Sequence, residues 1–217
     1  MLVFRKIFFI VAFLLFAVPR TSAQTTKFNA SVYAINDYLV SARFYKLRLN
    51  EGELTAIDSL YAFALNYFDG NKSDALLSLT FSLLPFDKME LALPFGGNFS
   101  LYLPCTDYEL YRMRLESLPR GFLPDSPTRP NADTDKLSHF FGNAFLGYDL
   151  NFFNFADFLG IFVEAFEYNF KIKGAFDLRD IRMNKLGLLF GDALKNGKKV
   201  SPSEFIALYS INYLELP

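Results

Sequence analysis

The chain has 217 residues, and its 22 basic and 23 acidic residues give a formal net charge of −1 at pH 7. This balance argues against nucleic acid as a partner, because nucleic-acid-binding proteins carry a clustered basic patch. Cys105 is the only cysteine, so an intrachain disulfide is excluded and stability has to come from burial of apolar side chains. We predict no cofactor, since no Gly-rich phosphate loop or hydrolase motif is present.

The N-terminus has the pattern of a signal peptide covering residues 1–23. Arg5 and Lys6 precede an uninterrupted apolar run at 7–18, and small residues at 21–23 provide a cleavage site before Gln24. The run is shorter than the roughly 20 residues that a membrane-spanning helix needs. The pattern predicts export, with an uncleaved N-terminal anchor as the alternative.

Residues 24–117 are predicted to form a helical region that contains a small β-hairpin. Apolar residues recur at three- and four-residue spacing in most of this region, whereas two short segments flank a turn rich in Pro and Gly. Residues 24–33 look like a loose leader. The predicted elements are helices at 32–47, 54–68 and 75–84, strands at 89–93 and 99–103, and a helix at 108–115.

A proline-rich loop at 118–134 is predicted to connect this region to a second helical region at 135–217. We favour an ordered loop over a free linker, because Phe122 and Leu123 are poorly suited to open solvent. The second region is predicted to contain helices at about 136–150, 154–170, 178–196 and 202–213. Asp135, Asp177 and Ser201 are placed to cap three of them. The fold class is therefore mainly α, a compact helical bundle with one small hairpin.

Polar residues recur at helical spacing on the first three of these four helices. Small residues four apart let two helices approach closely, so the three helices are predicted to meet at their glycines and to bring the polar side chains together. The candidate residues for close packing are Gly160, Gly187 and Gly191, and the polar candidates are Asp135, His139, Asn143, Glu164, Glu167, Asp180 and Asn184.

Three interpretations of this polar cluster stay open. The favoured one is a buried hydrogen-bond network that fixes helix register and needs no substrate. The alternative is a functional site, in which His139 acts as a base beside Glu164 or Glu167, or in which these three residues hold a metal ion. A further alternative is that the residues are caps and surface charges that never converge.

The same residues resemble the pattern of VanZ-like proteins and of a related group of periplasmic or outer-membrane lipoproteins. The resemblance covers residues 133–195, with Glu167 where the pattern usually has Gln, and Lys173 where an Arg is common. It implies a helical envelope protein and no particular reaction. The motifs that carry it are Asp135-Lys136-x-x-His139-Phe140, Gly160-x-x-x-Glu164-x-x-Glu167 and Phe176-Asp177-Leu178-x-Asp180-x-x-x-Asn184-x-x-Gly187-x-x-x-Gly191.

Acidic residues also indicate whether the C-terminal region is expected to cross a membrane. Acidic side chains interrupt the apolar residues between 137 and 170, and each carboxylate near a bilayer centre costs about 2.5–3.5 kcal/mol. We therefore predict a soluble or peripherally bound helical bundle, exported to the periplasm or associated with the outer membrane, with an integral membrane protein as the alternative. The predicted role is non-enzymatic, structural or binding, with an envelope protein or lipid as partner. The alternative is an envelope enzyme acting on a lipid-linked or cell-wall substrate.

Overall fold

The computed structural model describes residues 22–92, 98–102, 108–128, 133–149 and 177–214, and it confirms the mainly α class. In these ranges four helices, a strand pair and four further helices follow one another. They are α1 (Ser22–Leu39), α2 (Ala42–Glu51), α3 (Glu53–Tyr67), α4 (Lys72–Ser82), β1 (Lys88–Ala92), β2 (Asn98–Tyr102), α5 (Tyr108–Ser117), α6 (Lys136–Asp149), α7 (Leu178–Lys195) and α8 (Pro202–Leu214).

Helix α1 corrects the expectation of a loose leader at 24–33. The Ser31 hydroxyl donates to the Phe28 carbonyl at 2.6 Å and lies 2.8 Å from the Ser78 hydroxyl of α4. The Phe28 ring also meets the Phe81 ring edge to face, with centroids 5.3 Å apart. Small polar residues here let two helices pack closely, so α1 is held by tertiary contacts that apolar periodicity does not reveal.

The helix predicted at 32–47 is two helices, because the chain turns at Ser41. The Ser41 hydroxyl accepts a hydrogen bond from the backbone N–H of Phe44 and thereby caps the start of α2. A similar cap separates α3 from α4, where the Asn71 side chain accepts from the Asp74 N–H after a turn with Gly70 at φ 88°. Both boundaries follow from local side-chain chemistry.

The two strands pair in antiparallel fashion, with Glu90 opposite Ser100. They lie one residue earlier in the chain than the segments expected at 89–93 and 99–103. The turn expected at 94–98 lies largely outside the described residues, and so does Cys105.

One hydrophobic core joins residues from both sides of the proline-rich loop. At its centre the fully buried rings of Phe140 and Phe190 stack with centroids 5.4 Å apart, and Tyr61 of α3 meets Phe190 edge to face at the same distance. Leu123 of the loop is buried in this core, and Phe122 packs against it. The loop therefore runs over the core and positions α6 between α4 and α7.

The C-terminal helices end and begin at recognisable capping motifs. Helix α7 closes with Gly197 at φ 75° and with a hydrogen bond from the Lys198 N–H to the Ala193 carbonyl at 3.0 Å. Helix α8 begins at Pro202, and the Ser203 N–H donates to the Asp58 carboxylate of α3 at 2.8 Å. Among all helices in the described ranges, none is both long and apolar enough to cross a bilayer.

Candidate functional site

Helices α6 and α7 are in direct backbone contact, and glycines make this contact feasible. A Cβ atom added to Gly187 would lie 2.1 Å from the carbonyl oxygen of Phe140, and one added to Gly191 would lie 2.1 Å from that of Ala144. A third glycine, Gly147 of α6, would bring its Cβ within 2.6 Å of the Leu188 carbonyl oxygen. The two helices are therefore closer than any residue with a side chain would allow.

The two helices run parallel, because contacts advance along both chains in the same direction. His139 meets Asn184, and further along the pair Ala144 meets Gly191. Both N-termini consequently lie at the same end of the pair. Two helix N-termini side by side combine their positive dipole ends, and this is where Asp135, Asp177 and Asp180 gather.

Lys136 lies at the centre of these three carboxylates. Its ammonium nitrogen is 2.6 Å from Asp180 Oδ1, 3.0 Å from Asp135 Oδ1 and 3.1 Å from Asp177 Oδ2, and its side chain is only 3% exposed. Burial acts to lower the pKa of Lys136, but the charges and hydrogen bonds of Asp135 and Asp180 outweigh it and raise the pKa above its ordinary value. The ammonium is therefore charged and binds the N-termini of α6 and α7 together.

Arg179 extends the cluster to the proline-rich loop. Its guanidinium forks onto the Asp177 carboxylate, with Nη2 2.7 Å from Oδ2, and its Nη1 donates to Asp133 Oδ1 at 2.7 Å. Burial acts to raise the pKa of Asp177, but hydrogen bonds from Arg179 and Lys136 outweigh it and hold the pKa well below its usual range. Asp177 also caps α7 by accepting from the Arg179 N–H.

Asp133 is the link between this charged cluster and the loop. It is buried, with φ 64°, a left-handed backbone conformation that Asp tolerates better than most residues. Its second carboxylate oxygen accepts hydrogen bonds from the Gly121 N–H and the Ser126 hydroxyl. The loop end, α6 and α7 are thus held by one connected set of charged hydrogen bonds.

One helical turn further on, His139, Asn143 and Asn184 form a second layer. His139 Nδ1 is 2.9 Å from Asn184 Oδ1, and Asn143 Nδ2 donates to the same oxygen at 2.7 Å. Asn143 Nδ2 also donates to the His139 carbonyl oxygen at 2.9 Å. Because an amide oxygen only accepts, Nδ1 of the ring carries the proton, and in the neutral ring Nε2 holds the lone pair.

The imidazole of His139 is kept neutral by its surroundings. Burial lowers the pKa of His139 below its ordinary value of 6.5, and this effect exceeds the opposing influence of Asp180 and Asp135. Its Nε2 lies 3.6 Å from Asp180 Oδ1, and because both atoms are acceptors while the ring is neutral, only a protonated ring would pair with this carboxylate. At neutral pH the ring thus serves as a hydrogen-bonding group without charge.

Metal binding is the other chemistry that the arrangement offers. One ligand atom from each of Asp135, His139 and Asp180 can be chosen so that the three atoms lie within 4.8 Å of one another. Imidazole and carboxylate are common ligands of zinc and manganese. However, the Lys136 ammonium already bridges Asp135 and Asp180, so a metal ion there would have to displace a buried, charged lysine.

The structure brings together five of the predicted polar residues and leaves three predicted residues outside its described ranges. Asp135, His139, Asn143, Asp180 and Asn184 converge, and Gly187 and Gly191 lie at the α6–α7 contact. Gly160, Glu164 and Glu167 belong to residues 150–176, which lie outside those ranges. The same applies to the metal site expected from His139 with the two glutamates.

Sequence reasoning missed four contributors to the site. Lys136, Arg179, Asp133 and Gly147 were not among the residues predicted to form it. A signal for Lys136 existed, because it lies three residues before His139 and therefore shares its face of the helix. Asp133 gave no comparable signal, since its role depends on a turn conformation.

No protein-family profile, curated protein or solved structure matches this chain. The resemblance of residues 133–195 to VanZ-like proteins accordingly stays a prediction from the motifs.

Proposed function

We propose that this chain is an exported, non-enzymatic protein of the bacterial cell envelope. The polar cluster at α6 and α7 stabilises the fold. The protein as a whole binds a partner at or near a membrane. The signal-peptide pattern at residues 1–23 supports export, and the VanZ-like motifs support an envelope location.

The proposal of a non-enzymatic role is supported by the ion pairs and hydrogen bonds that the cluster residues form with one another. The Lys136 ammonium binds three carboxylates, and the Asn184 oxygen accepts from both His139 and Asn143. A catalytic base has to present its lone pair to a substrate. Here the strongest polar groups bind one another across the α6–α7 contact, which supports a role in fixing helix register.

Two measurements test this proposal. Mass spectrometry of the protein recovered from a periplasmic fraction should give a chain that begins at Gln24, and an unprocessed chain confined to the cytosol would contradict export. Because His139 is buried and hydrogen-bonded, His139→Ala should lower the melting temperature by roughly 5–10 °C, corresponding to about 2–3 kcal/mol. An unchanged melting temperature would instead favour a role of His139 in binding a ligand or substrate.

A metal-dependent envelope enzyme is the second candidate, and the proximity of the Asp135, His139 and Asp180 ligand atoms supports it. Asp180→Asn provides the test, because it weakens a carboxylate ligand while keeping the shape of the side chain. If zinc or manganese raised the melting temperature of the wild-type protein and not that of Asp180→Asn, the enzyme would become the better account. Equal behaviour of the two proteins would exclude a metal at these three residues.

A further inference from the structure

Helix α7 carries large apolar side chains on the face turned away from the core. Leu178 is 61% exposed, Leu189 47%, Ile181 45% and Leu188 38%. Scattered single exposures are normal on a protein surface, but these four lie along one side of a single helix. We call these four residues the α7 apolar face.

Helix geometry separates this face from the contact with α6. At about 100° per residue, the four side chains fall within one arc of the helix, and Gly187 and Gly191 lie outside that arc. The buried Phe190 and Leu194 also lie outside it and point into the core. Leu188 lies at the edge of this arc, where its backbone meets Gly147 of α6, whereas Leu178, Ile181 and Leu189 lie further from that contact.

Basic residues flank the α7 apolar face. Lys185 and Asp192 are exposed within the same arc, and Lys195, seven residues after Leu188, lies beside it near the end of the helix. Lys198 and Lys199 follow in the exposed turn. In this stretch four exposed lysines stand against one exposed acid, Asp192, in a chain whose overall net charge is −1.

We infer that the α7 apolar face docks on a phospholipid bilayer with anionic headgroups. Half-exposed Leu and Ile side chains insert at the boundary of headgroups and acyl chains, and lysines beside them extend their ammonium groups to the phosphates. The helix lies along the membrane surface rather than crossing it. This inference rests on the proposed envelope location, which brings the protein to such a bilayer.

Vesicle co-sedimentation of the mature protein tests the inference. We expect binding to vesicles of phosphatidylcholine with 30% phosphatidylglycerol, binding at least about fivefold weaker to pure phosphatidylcholine, and a loss of binding at high salt. The double variant Leu188→Asp/Leu189→Asp should bind at least about tenfold more weakly, because charge replaces inserted apolar surface. Lys198→Gln/Lys199→Gln, in an exposed turn that carries no core contact, should weaken only the binding to the anionic vesicles.

The matched control is Leu49→Asp, since Leu49 is an equally large side chain, 66% exposed, on helix α2. It should bind like the wild-type protein. The inference is overturned if the wild-type protein does not bind anionic vesicles, or if either Leu188→Asp/Leu189→Asp or Lys198→Gln/Lys199→Gln binds them as well as Leu49→Asp does. It is also overturned if the wild-type protein sediments as a dimer that Leu188→Asp/Leu189→Asp dissociates, because a second copy would then cover the face. If the protein is correctly processed and exported but does not bind vesicles as described, this inference is wrong and the proposed function is unaffected.

Discussion

Replacing Gly191 by Ala tests the direct contact between α6 and α7 with the smallest available change. The added Cβ would lie 2.1 Å from the Ala144 carbonyl oxygen and 2.9 Å from both the Ala144 carbonyl carbon and the Tyr148 nitrogen. All three are backbone atoms, so no side-chain rotation relieves the clash, and the helices have to separate by roughly 1 Å. We expect the free energy of unfolding to fall by about 2–3 kcal/mol, even though Ala is the better helix former by about 1 kcal/mol.

The assay is urea unfolding followed by circular dichroism, with Gly142→Ala as the matched control on α6. The nearest neighbour of a Cβ at Gly142 is the Thr80 side chain at 3.3 Å, which can move by the few tenths of an ångström required. The control should therefore equal the wild-type protein or exceed its stability by up to about 1 kcal/mol. Equal stability of Gly191→Ala and Gly142→Ala would refute the reasoning about the helix contact.

Two further predictions concern single side chains. Because the pKa of His139 is lower in the folded protein than its ordinary value of 6.5, the unfolded chain takes up this proton first as the pH falls. The unfolding free energy should therefore decrease below about pH 6.5, by at most about 1.4 kcal/mol per pH unit. Since His139 is the only histidine, His139→Gln should flatten this slope in urea titrations between pH 5 and 7, and an unchanged slope would contradict the assignment. The second prediction compares two tyrosines. Tyr209 donates to Asp125 Oδ2 at 2.6 Å, so Tyr209→Phe should lower stability by about 1–2 kcal/mol. The Tyr61 hydroxyl is buried with no hydrogen-bond partner in the described part of the chain, so Tyr61→Phe should be neutral or stabilising, and the reverse order in a thermal melt would contradict both assignments.

Local chemistry made most helix boundaries predictable from the sequence. The helix expected at 178–196 is α7, because Asp177 supplies its cap and Gly197 its left-handed end. The helix expected at 202–213 is α8 for a similar reason, with Pro202 at its first position. Each of these signals lies within a few residues of the boundary it sets, so no knowledge of the tertiary fold was needed.

What the sequence did not reveal depends on contacts between distant residues. Ser31 of α1 is hydrogen-bonded to Ser78 of α4, and the sequence around Ser31 does not indicate that partner. The ion pairs of Lys136 could not be predicted, because Asp177 and Asp180 come from a distant part of the chain. The convergence of His139 with Asn184 could be predicted, because helical spacing placed each of them beside the residues through which the two helices meet.

The most direct test of the central claim, that the charged cluster holds α6 and α7 together, is a double-mutant cycle between Lys136 and Asp180. Unfolding free energies of the wild-type protein, Lys136→Met, Asp180→Asn and the double variant give the coupling between the two side chains. Their atoms are 2.6 Å apart, with the lysine side chain 3% and the carboxylate 18% exposed, so we predict a coupling of about 1.5–3 kcal/mol. Effects that add to within about 0.5 kcal/mol would show that the two residues act independently, and would contradict the claim.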